Sequence, residues 1–241
     1  MISNPIDSWS RLTARVICRD VGKVGSGFFF LENGLFLTNN HVVSRIDVDT
    51  EGTIQHNYSK DILVSDTSGI HKATLALDQD SDKPIVYDYA ILKVHGIKKK
   101  GFEPDSPDAI EVGEEAVCIS YPMDFPHAVV TKGIISAIIS MPSHINSLHQ
   151  IHTYLTNVIV NFGSSGSPLL RATNGKVIGI VTMPHNSQDQ TKERLYQYLQ
   201  SDEAEDSPVL ADIIEFVLSY VSLGLNHAIS LEYLLKEDAF T

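Results

Sequence analysis

Three short segments of the sequence contain residue types that together could hydrolyse a peptide bond. In chain order they are GSGFFFLENGLFLTNNHVVS (25–44), VYDYAILKV (86–94) and NFGSSGSPLL (161–170). The first contains His41 near its end, the second has Asp88 at the start of a strand-like run, and the third has Ser165 in a glycine-rich turn. A serine hydroxyl is a weak nucleophile, so an imidazole must accept its proton and a carboxylate must fix the tautomer of that imidazole. The three segments supply these three groups.

Each of the three residues alone also has an ordinary structural interpretation. His41 could be a packed core histidine, Asp88 a simple acid at a strand start, and Ser165 part of a common β-turn. The combination carries more information, because His41 and Asp88 are 47 positions apart and Ser165 follows a further 77 positions later. This spacing places the first two residues on one half of the chain and the serine on the other. We therefore predict a catalytic triad of His41, Asp88 and Ser165 in a cleft between the halves.

The glycines around Ser165 predict a second component of the same site. Tight turns that contain glycine allow nearby backbone N–H groups to converge on one point, where they can stabilise an oxyanion. The sequence predicts that the N–H groups of Gly163 and Ser165 form this oxyanion hole.

The composition is that of a globular chain with a substantial core. Of the 241 residues, 43% are hydrophobic and 20% are charged. A net charge of −12 argues against a nucleic-acid partner, because phosphate binding requires clustered lysine and arginine. No stretch approaches the roughly 18 consecutive apolar residues of a membrane span, so we expect no membrane partner. No sequence motif indicates a metal or a cofactor, and we expect none.

The cysteine content and the amino-terminal residues predict a cytoplasmic protein. Cys18 and Cys118 are the only cysteines and each lies in an apolar, strand-like run, which favours buried reduced thiols over a disulfide. The segment MISNPIDSWSR has neither the basic start nor the apolar run of a secretory signal.

Short β-rich runs separated by turn residues dominate the chain as far as Pro184. This pattern predicts an all-β barrel or sandwich rather than alternating βαβ units. The charged, proline-containing stretch 98–108 is predicted to link two barrels, an N-terminal one at 12–100 and a C-terminal one at 110–236. Together they make a single peptidase unit over 1–241.

A different pattern near the carboxyl terminus predicts a helical insertion at 186–222. Its second helix starts at Ser207-Pro208 and carries an apolar stripe at helical spacing. From 201 to 241 there are nine acidic residues against one basic residue. The acidic segment is either a solvated face or a docking surface for a regulatory protein partner, and the insertion itself is either a static decoration or a lid.

The three motifs resemble those of the HtrA/DegP branch of the trypsin-like serine peptidases. The similarity runs from about Arg15 to Lys236, and includes VGEEAVCISYP with VVTKGIISAIIS and, at the end, LGLNHAISLEYLLKE. It implies two six-stranded antiparallel β-barrels and endopeptidase activity on a protein or peptide substrate. The chain departs from the family in having Ser167 where a second glycine is usual, and it leaves no sequence after Thr241 for a PDZ domain, which we therefore expect to be absent.

The resemblance also indicates which residues surround the substrate. The position that is an aspartate in trypsin, six residues before the serine, is Ile159, which disfavours cleavage after basic residues because an apolar pocket base cannot compensate a buried cation. We predict cleavage after apolar residues. The predicted substrate-binding residues are Ile159, Val160, Asn161, Phe162, Thr182, Met183, Asn226 and His227.

Two functions are compatible with the sequence. The first is an active serine endopeptidase, which is favoured because none of the three catalytic residues is substituted. The alternative is a catalytically silent trypsin-like binding module, in which the triad is present but the site is distorted or unused.

Overall fold

The computed structural model describes residues 5–32, 34–48, 54–76, 83–122, 125–143, 149–182, 207, 210 and 225–236. The strands in chain order are β1 (Thr13–Cys18), β2 (Lys23–Phe29), β3 (Leu35–Thr38), β4 (Ser44–Val48), β5 (Ile54–Tyr58), β6 (Ile62–Asp66), β7 (Gly69–Leu75), β8 (Ala90–Val94), β9 (Glu115–Ser120), β10 (Val129–Pro142), β11 (Gln150–Thr156), β12 (Pro168–Arg171), β13 (Val177–Thr182) and β14 (Asn226–Ser230). The helices are α1 (Pro5–Ser10), α2 (Asn40–Val43) and α3 (Lys83–Val86), with 3-10 turns at Pro107–Ala109 and Leu234–Lys236.

Twelve of these strands close into two antiparallel barrels. The first barrel has the order β1-β2-β3-β8-β7-β6 and the second has the order β10-β11-β14-β13-β12-β9. Strands β4 and β5 lie between β3 and β6 in the chain and form a separate two-stranded antiparallel sheet. Closure leaves neither barrel with a free sheet edge, which protects the backbone hydrogen-bonding groups. The predicted all-β class with two six-stranded antiparallel barrels is confirmed.

Alternation along the strands explains how one short apolar run serves two cores. Phe29 packs inside the first barrel, whereas Phe28 and Phe30 belong to a cluster that also contains Val117 and Ile119 of the second barrel. Successive strand residues point to opposite faces, so three consecutive phenylalanines fill a barrel interior and the interface between barrels. All three are fully buried.

The second barrel divides its residues in the same way. In β9, Ala116 and Cys118 face the barrel interior while Val117 and Ile119 face the first barrel. The interface is therefore apolar and buried, as the two interiors are, which fixes the position of the groups that the barrels present to one another.

Both cysteines are buried and free. Burial raises the pKa of Cys18 to about 11 and that of Cys118 to about 12, so both thiols are protonated at neutral pH. These properties are those of inert core residues rather than of reactive thiols.

The chain divides into two compact units, residues 1–183 with 225–241, and residues 184–224. In the second unit the structure describes Ser207 and Leu210. The N–H of Leu210 donates to the Ser207 carbonyl at 3.0 Å. Apart from these two residues, the predicted helical insertion at 186–222 lies outside the described residues. Its regulatory partner and the predicted boundaries at 12–100 and 110–236 stay predictions. No helix in the described part of the chain is long and apolar enough to cross a membrane.

Candidate active site

One helical turn places His41 at the rim of the first barrel. Strand β3 ends at Thr38, and α2 then turns the chain so that Val42 and Val43 enter the barrel core. Because these two valines are anchored, the preceding His41 is held at the surface side of the turn, with 28% of its side chain exposed.

The aspartate predicted as the partner of His41 contacts it directly. His41 Nδ1 lies 2.9 Å from Asp88 Oδ2 and 3.1 Å from Oδ1. The backbone N–H of His41 also donates to Asp88 Oδ1, at 3.0 Å. With its proton on Nδ1, the ring directs Nε2 away from the carboxylate, which is the tautomer that a general base requires.

Two further side chains hold Asp88 in place. Asp88 has a positive φ of 49°, a conformation that non-glycine residues rarely adopt. The side-chain N–H of Asn39 donates to the Asp88 carbonyl at 2.8 Å, and the Thr182 hydroxyl donates to Oδ2 at 3.1 Å. These bonds from both barrels offset the strain and fix the carboxylate toward His41.

The His41–Asp88 pair shifts both pKa values toward the charged forms. Burial lowers the pKa of His41, but the charge of Asp88 and its hydrogen bond outweigh this effect, so the pKa lies above 6.5. Burial raises the pKa of Asp88, but His41 and the Thr182 hydroxyl outweigh it and hold the value below the ordinary 3.8. Asp88 is therefore ionised at neutral pH and stabilises a proton on His41.

Ser165 follows a tight turn whose geometry depends on glycine. The N–H of Ser164 donates to the Asn161 carbonyl at 2.9 Å, which closes a turn with Phe162 and Gly163 in its middle. Gly163 has a φ of 87°, the value expected at the third position of a type II turn. A residue with a side chain would be strained there.

A second glycine seats the serine against the first barrel. Gly166 has a φ of 88°, and a Cβ there would lie 2.1 Å from the Ser26 carbonyl and 2.3 Å from Thr38 Oγ1. A Cβ at Gly25 would lie 2.7 Å from Val42 and 3.0 Å from the Ser165 carbonyl. The backbone of Ser165 thus approaches the turn that carries His41.

The backbone N–H groups around Ser165 alternate between paired and unpaired. Ser164, Gly166 and Ser167 donate to the carbonyls of Asn161, Val181 and Ser164. Within the described parts of the chain, the N–H groups of Gly163 and Ser165 donate to no other group. An acceptor such as a developing oxyanion would supply the missing partner.

Among the three serines of this turn, Ser165 is the one that solvent reaches. Ser164 and Ser167 are fully buried, whereas Ser165 retains 7% of its accessible surface. The Ser164 hydroxyl donates to Ser120 Oγ at 3.1 Å. The Ser165 hydroxyl forms no hydrogen bond with another described residue, so the structure brings His41 and Asp88 into contact but does not join Ser165 to His41 by such a bond. Bonds of this kind commonly tighten only when substrate binds.

The predicted substrate-binding residues have different environments. Ile159 is 64% exposed and Phe162 is 40% exposed, so both offer apolar surface beside the turn, where Asn161 is also exposed. Val160 is buried in the second barrel.

Strands β13 and β14 carry the other predicted substrate-binding residues. Asn226 is buried and its side-chain N–H donates to the Val158 carbonyl at 2.7 Å. Thr182 and His227 are paired across the two strands, and the Thr182 hydroxyl is directed to Asp88. Met183 lies outside the described residues. The side chains of Asn226 and Thr182 thus each make a hydrogen bond within the protein, and their role in substrate binding stays a prediction.

Sequence analysis missed the contacts of Asn39 and Thr182 with Asp88, and the hydrogen bond that the Ser26 hydroxyl donates to the Gly163 carbonyl. Asn39 stands next to the histidine motif, and its position could have drawn attention to it. Ser26 and Thr182 are ordinary strand residues that carry no such signal.

Comparison with known proteins gives matches to the same family throughout. The model of the family described as "Trypsin-like peptidase domain" matches residues 25–180. A "Probable periplasmic serine endoprotease DegP-like" of Ectopseudomonas mendocina is 33% identical over 162 residues, which cover 67% of this chain and 30% of that protein. The "Putative serine protease HhoB" of Synechocystis is 30% identical over 159 residues, which cover 66% of this chain and 34% of that protein. The chain thus matches about a third of the length of these curated relatives.

Solved structures support the fold. The "HtrA-type protease AlgW with tripeptide" superposes with a TM-score of 0.64 and 23% identity, covering 96% of this chain and 60% of that one. The active form of the Rv3671c protease from M. tuberculosis gives a TM-score of 0.64 and 17% identity, covering 97% of this chain and 82% of that one. Together with the sequence relatives, they confirm the resemblance to the HtrA/DegP branch.

The comparison corrects the predicted cytoplasmic localisation, which is wrong. The DegP-like relatives from several Pseudomonas species and from Ectopseudomonas are named periplasmic. The prediction depended partly on the small number of cysteines, but the structure shows why that number does not discriminate between compartments. Two barrels with a continuous apolar interface have a sufficient core without disulfides.

Proposed function

We propose that this chain, which belongs to the family of the trypsin-like peptidase domain, is a serine endopeptidase with His41, Asp88 and Ser165 as its catalytic residues. The contact of His41 Nδ1 with both carboxylate oxygens of Asp88 is the observation that carries the proposal. It sets the imidazole tautomer that can accept a proton at Nε2.

The chemistry then proceeds in two acyl-transfer steps. Ser165 Oγ attacks the peptide carbonyl carbon while its proton passes to His41, and the resulting oxyanion accepts hydrogen bonds from the N–H groups of Gly163 and Ser165. His41 returns the proton to the leaving amine as the C–N bond breaks. Water repeats the sequence on the acyl-enzyme and regenerates Ser165. No metal or cofactor is needed for these steps.

The residues beside the turn support cleavage after apolar residues. The side chain at the position that is acidic in trypsin is Ile159, which is well exposed, and the neighbouring Phe162 adds to this apolar surface. A lysine or arginine side chain would find no compensating charge at Ile159. We therefore expect peptides with leucine or valine before the cleaved bond to be hydrolysed faster than matched peptides with lysine or arginine.

Covalent labelling tests the proposed nucleophile. A fluorophosphonate should label the wild-type protein at Ser165, and Ser165→Ala should abolish labelling and reduce kcat by about 10⁶-fold. Ser164→Ala is the matched control, because it removes an adjacent hydroxyl that is buried and bonded to Ser120. Hydrolysis by folded Ser165→Ala at more than a small fraction of the wild-type rate would contradict the assignment.

The same experiment separates the enzyme from the silent binding module. One observation favours the silent binding module: the Ser165 hydroxyl forms no hydrogen bond with His41 among the described contacts. A silent module would bind peptide without reacting with the fluorophosphonate, whereas an active enzyme would be labelled and would lose the label in Ser165→Ala.

A further inference from the structure

Ser26 occupies an unusual place in strand β2. The strand pairs with β1 along one edge, and β3 covers the opposite edge only at Phe28 and Phe29. At Ser26 this second edge is instead occupied by residues 161–167, which we call the serine turn, since the Ser26 N–H donates to the Ser165 carbonyl at 2.8 Å. A strand of the first barrel thus extends directly to the proposed nucleophile on the second barrel.

Every polar group of Ser26 has a hydrogen-bond partner. Its carbonyl accepts a hydrogen bond from Thr38 Oγ1 at 2.7 Å. Its hydroxyl donates to the Gly163 carbonyl at 2.6 Å and accepts from the Tyr121 N–H at 2.8 Å. The residue is fully buried, so water does not compete for these bonds.

Ser26 donates hydrogen bonds to two carbonyls, those of Gly163 and Ser165. The N–H groups of the same two residues form the proposed oxyanion hole. Gly163 has no side chain to restrict its backbone and relies on external contacts to keep its φ of 87°. Type I and type II turns differ by a rotation of the middle peptide, which here carries the Gly163 N–H. The bond from Ser26 holds the next peptide through the Gly163 carbonyl, and it therefore restrains the backbone of Gly163 from the side opposite to its N–H.

We propose that Ser26 is a positioning residue of the oxyanion hole, in which its hydroxyl fixes Gly163 and its N–H fixes Ser165. This role rests on the proposed function, because it assigns a purpose to the N–H groups that the peptidase reaction would use. It is distinct from a simple tie between the barrels, since a tie would affect stability without a specific effect on the stabilisation of the oxyanion.

Kinetics of Ser26→Ala distinguish the two roles. The substitution removes the hydroxyl and leaves the backbone bond to Ser165. We expect kcat to fall by about 10–100-fold with KM changed less than about twofold, because the oxyanion exists only after the carbonyl is attacked. Affinity for a peptide aldehyde, which forms a tetrahedral adduct, should fall in parallel with kcat/KM. The acidic limb of the pH profile should not move, because the His41–Asp88 pair is untouched.

Ser59→Ala provides the matched control. Ser59 is also a buried serine of the first barrel, and its hydroxyl donates to Asp20 instead of to the serine turn. It should lose a comparable amount of stability while kcat and aldehyde affinity stay within about twofold of the wild type. A folded Ser26→Ala protein with kcat and aldehyde affinity equally unchanged would overturn the proposal. If Ser26→Ala fails to fold, Ser26→Cys keeps the volume and weakens the donor, and the same comparison applies.

A crystal structure of Ser26→Ala tests the positioning independently of activity. We expect the turn at 161–164 to be displaced or to adopt a second conformation in which Gly163 leaves its positive φ. An unchanged turn would overturn the role of Ser26 even if the wild type is active. Absence of hydrolysis and labelling in the wild type would instead overturn the proposed function, and the structure of the variant would still decide whether Ser26 positions the turn.

Discussion

The first barrel contributes side chains to the site, whereas the second barrel contributes mainly backbone. On the first barrel, His41 and Asp88 contact one another within hydrogen-bonding distance, and Asn39 supports Asp88. On the second barrel, Ser165 lies beside a turn whose proposed function would depend on the directions of peptide N–H groups, and Gly163 and Gly166 there have positive φ values.

This difference predicts two classes of defect. A substitution near His41 or Asp88 changes proton affinity and therefore changes how activity depends on pH. A substitution in the serine turn changes the geometry of the backbone donors, and should lower kcat at every pH to a similar extent.

Asp88→Asn should cause the largest loss within the first barrel. An amide at this position favours the wrong imidazole tautomer, so we expect kcat to fall by about 10⁴-fold at neutral pH. The wild type should lose activity as the pH falls through the pKa of His41, which lies above 6.5 because of Asp88. In Asp88→Asn this pKa should be lower, so the acidic limb should move to lower pH. Steady-state rates from pH 5 to pH 9 measure both effects, and an unaltered profile would indicate that another carboxylate orients His41.

Gly166→Ala should be the most damaging change to the backbone of the second barrel. The new Cβ would overlap the Ser26 carbonyl at a φ of 88°, so we expect a loss of more than about 3 kcal/mol in the free energy of unfolding. Gly22→Ala is the matched control, because Gly22 also has a positive φ, of 65°, but a Cβ there meets nothing within 4 Å. It should cost only about 1 kcal/mol from backbone strain. Urea denaturation compares them, and equal losses would refute the packing argument.

Thr182→Val tests a side-chain contact through which the second barrel acts on Asp88. The hydroxyl donates to Asp88 Oδ2 and helps to keep the pKa of that carboxyl low. Valine fits a strand, so the fold should be retained while kcat falls by about tenfold. If the loss arises through Asp88, combining Thr182→Val with Asp88→Asn should add little further loss. Fully additive losses would place the effect of Thr182 elsewhere, for example at the substrate.

Asp66→Asn should have the smallest effect on catalysis, because it should alter stability rather than activity. The buried Asp66 carboxylate lies 2.7 Å from Lys99 Nζ, and although burial opposes ionisation, Lys99 and Ser68 lower its pKa to about 2. Because the folded pKa is below the unfolded value of 3.8, the stabilisation is complete above about pH 4 and is lost as the pH falls toward 2. We expect a loss of about 1–2 kcal/mol at pH 7 that disappears near pH 2.

The matched control for Asp66→Asn is an exposed ion pair on the second barrel. Lys132 and Glu115 lie 2.7 Å apart with more than half of each side chain exposed. Glu115→Gln should change the free energy of unfolding by less than about 0.5 kcal/mol at any pH, because solvent screens the pair. A cost equal to that of Asp66→Asn would mean that burial is not the cause of the difference.

The pattern of residue types along the sequence was sufficient to predict an all-β fold. It was also sufficient to identify His41 and Asp88 as candidate partners. Strand alternation follows from side-chain geometry, so the run Phe28-Phe29-Phe30 could be assigned to a β-strand before its two sides were known. Glycine next to serine predicted a tight turn, because only glycine tolerates the positive φ values found at Gly163 and Gly166.

The tertiary structure alone decided which ordinary polar residues hold the site together. Ser26 reaches Gly163 across 137 positions, and Thr182 reaches Asp88 across 94. The predicted role of Thr182 as a substrate contact stays a prediction, and its hydrogen bond to Asp88 became visible only in the folded chain. Serine and threonine occur in strands throughout the chain and carry no local mark of such a role. Their partners depend on how two closed barrels meet along an apolar interface, and that arrangement is a property of the whole fold.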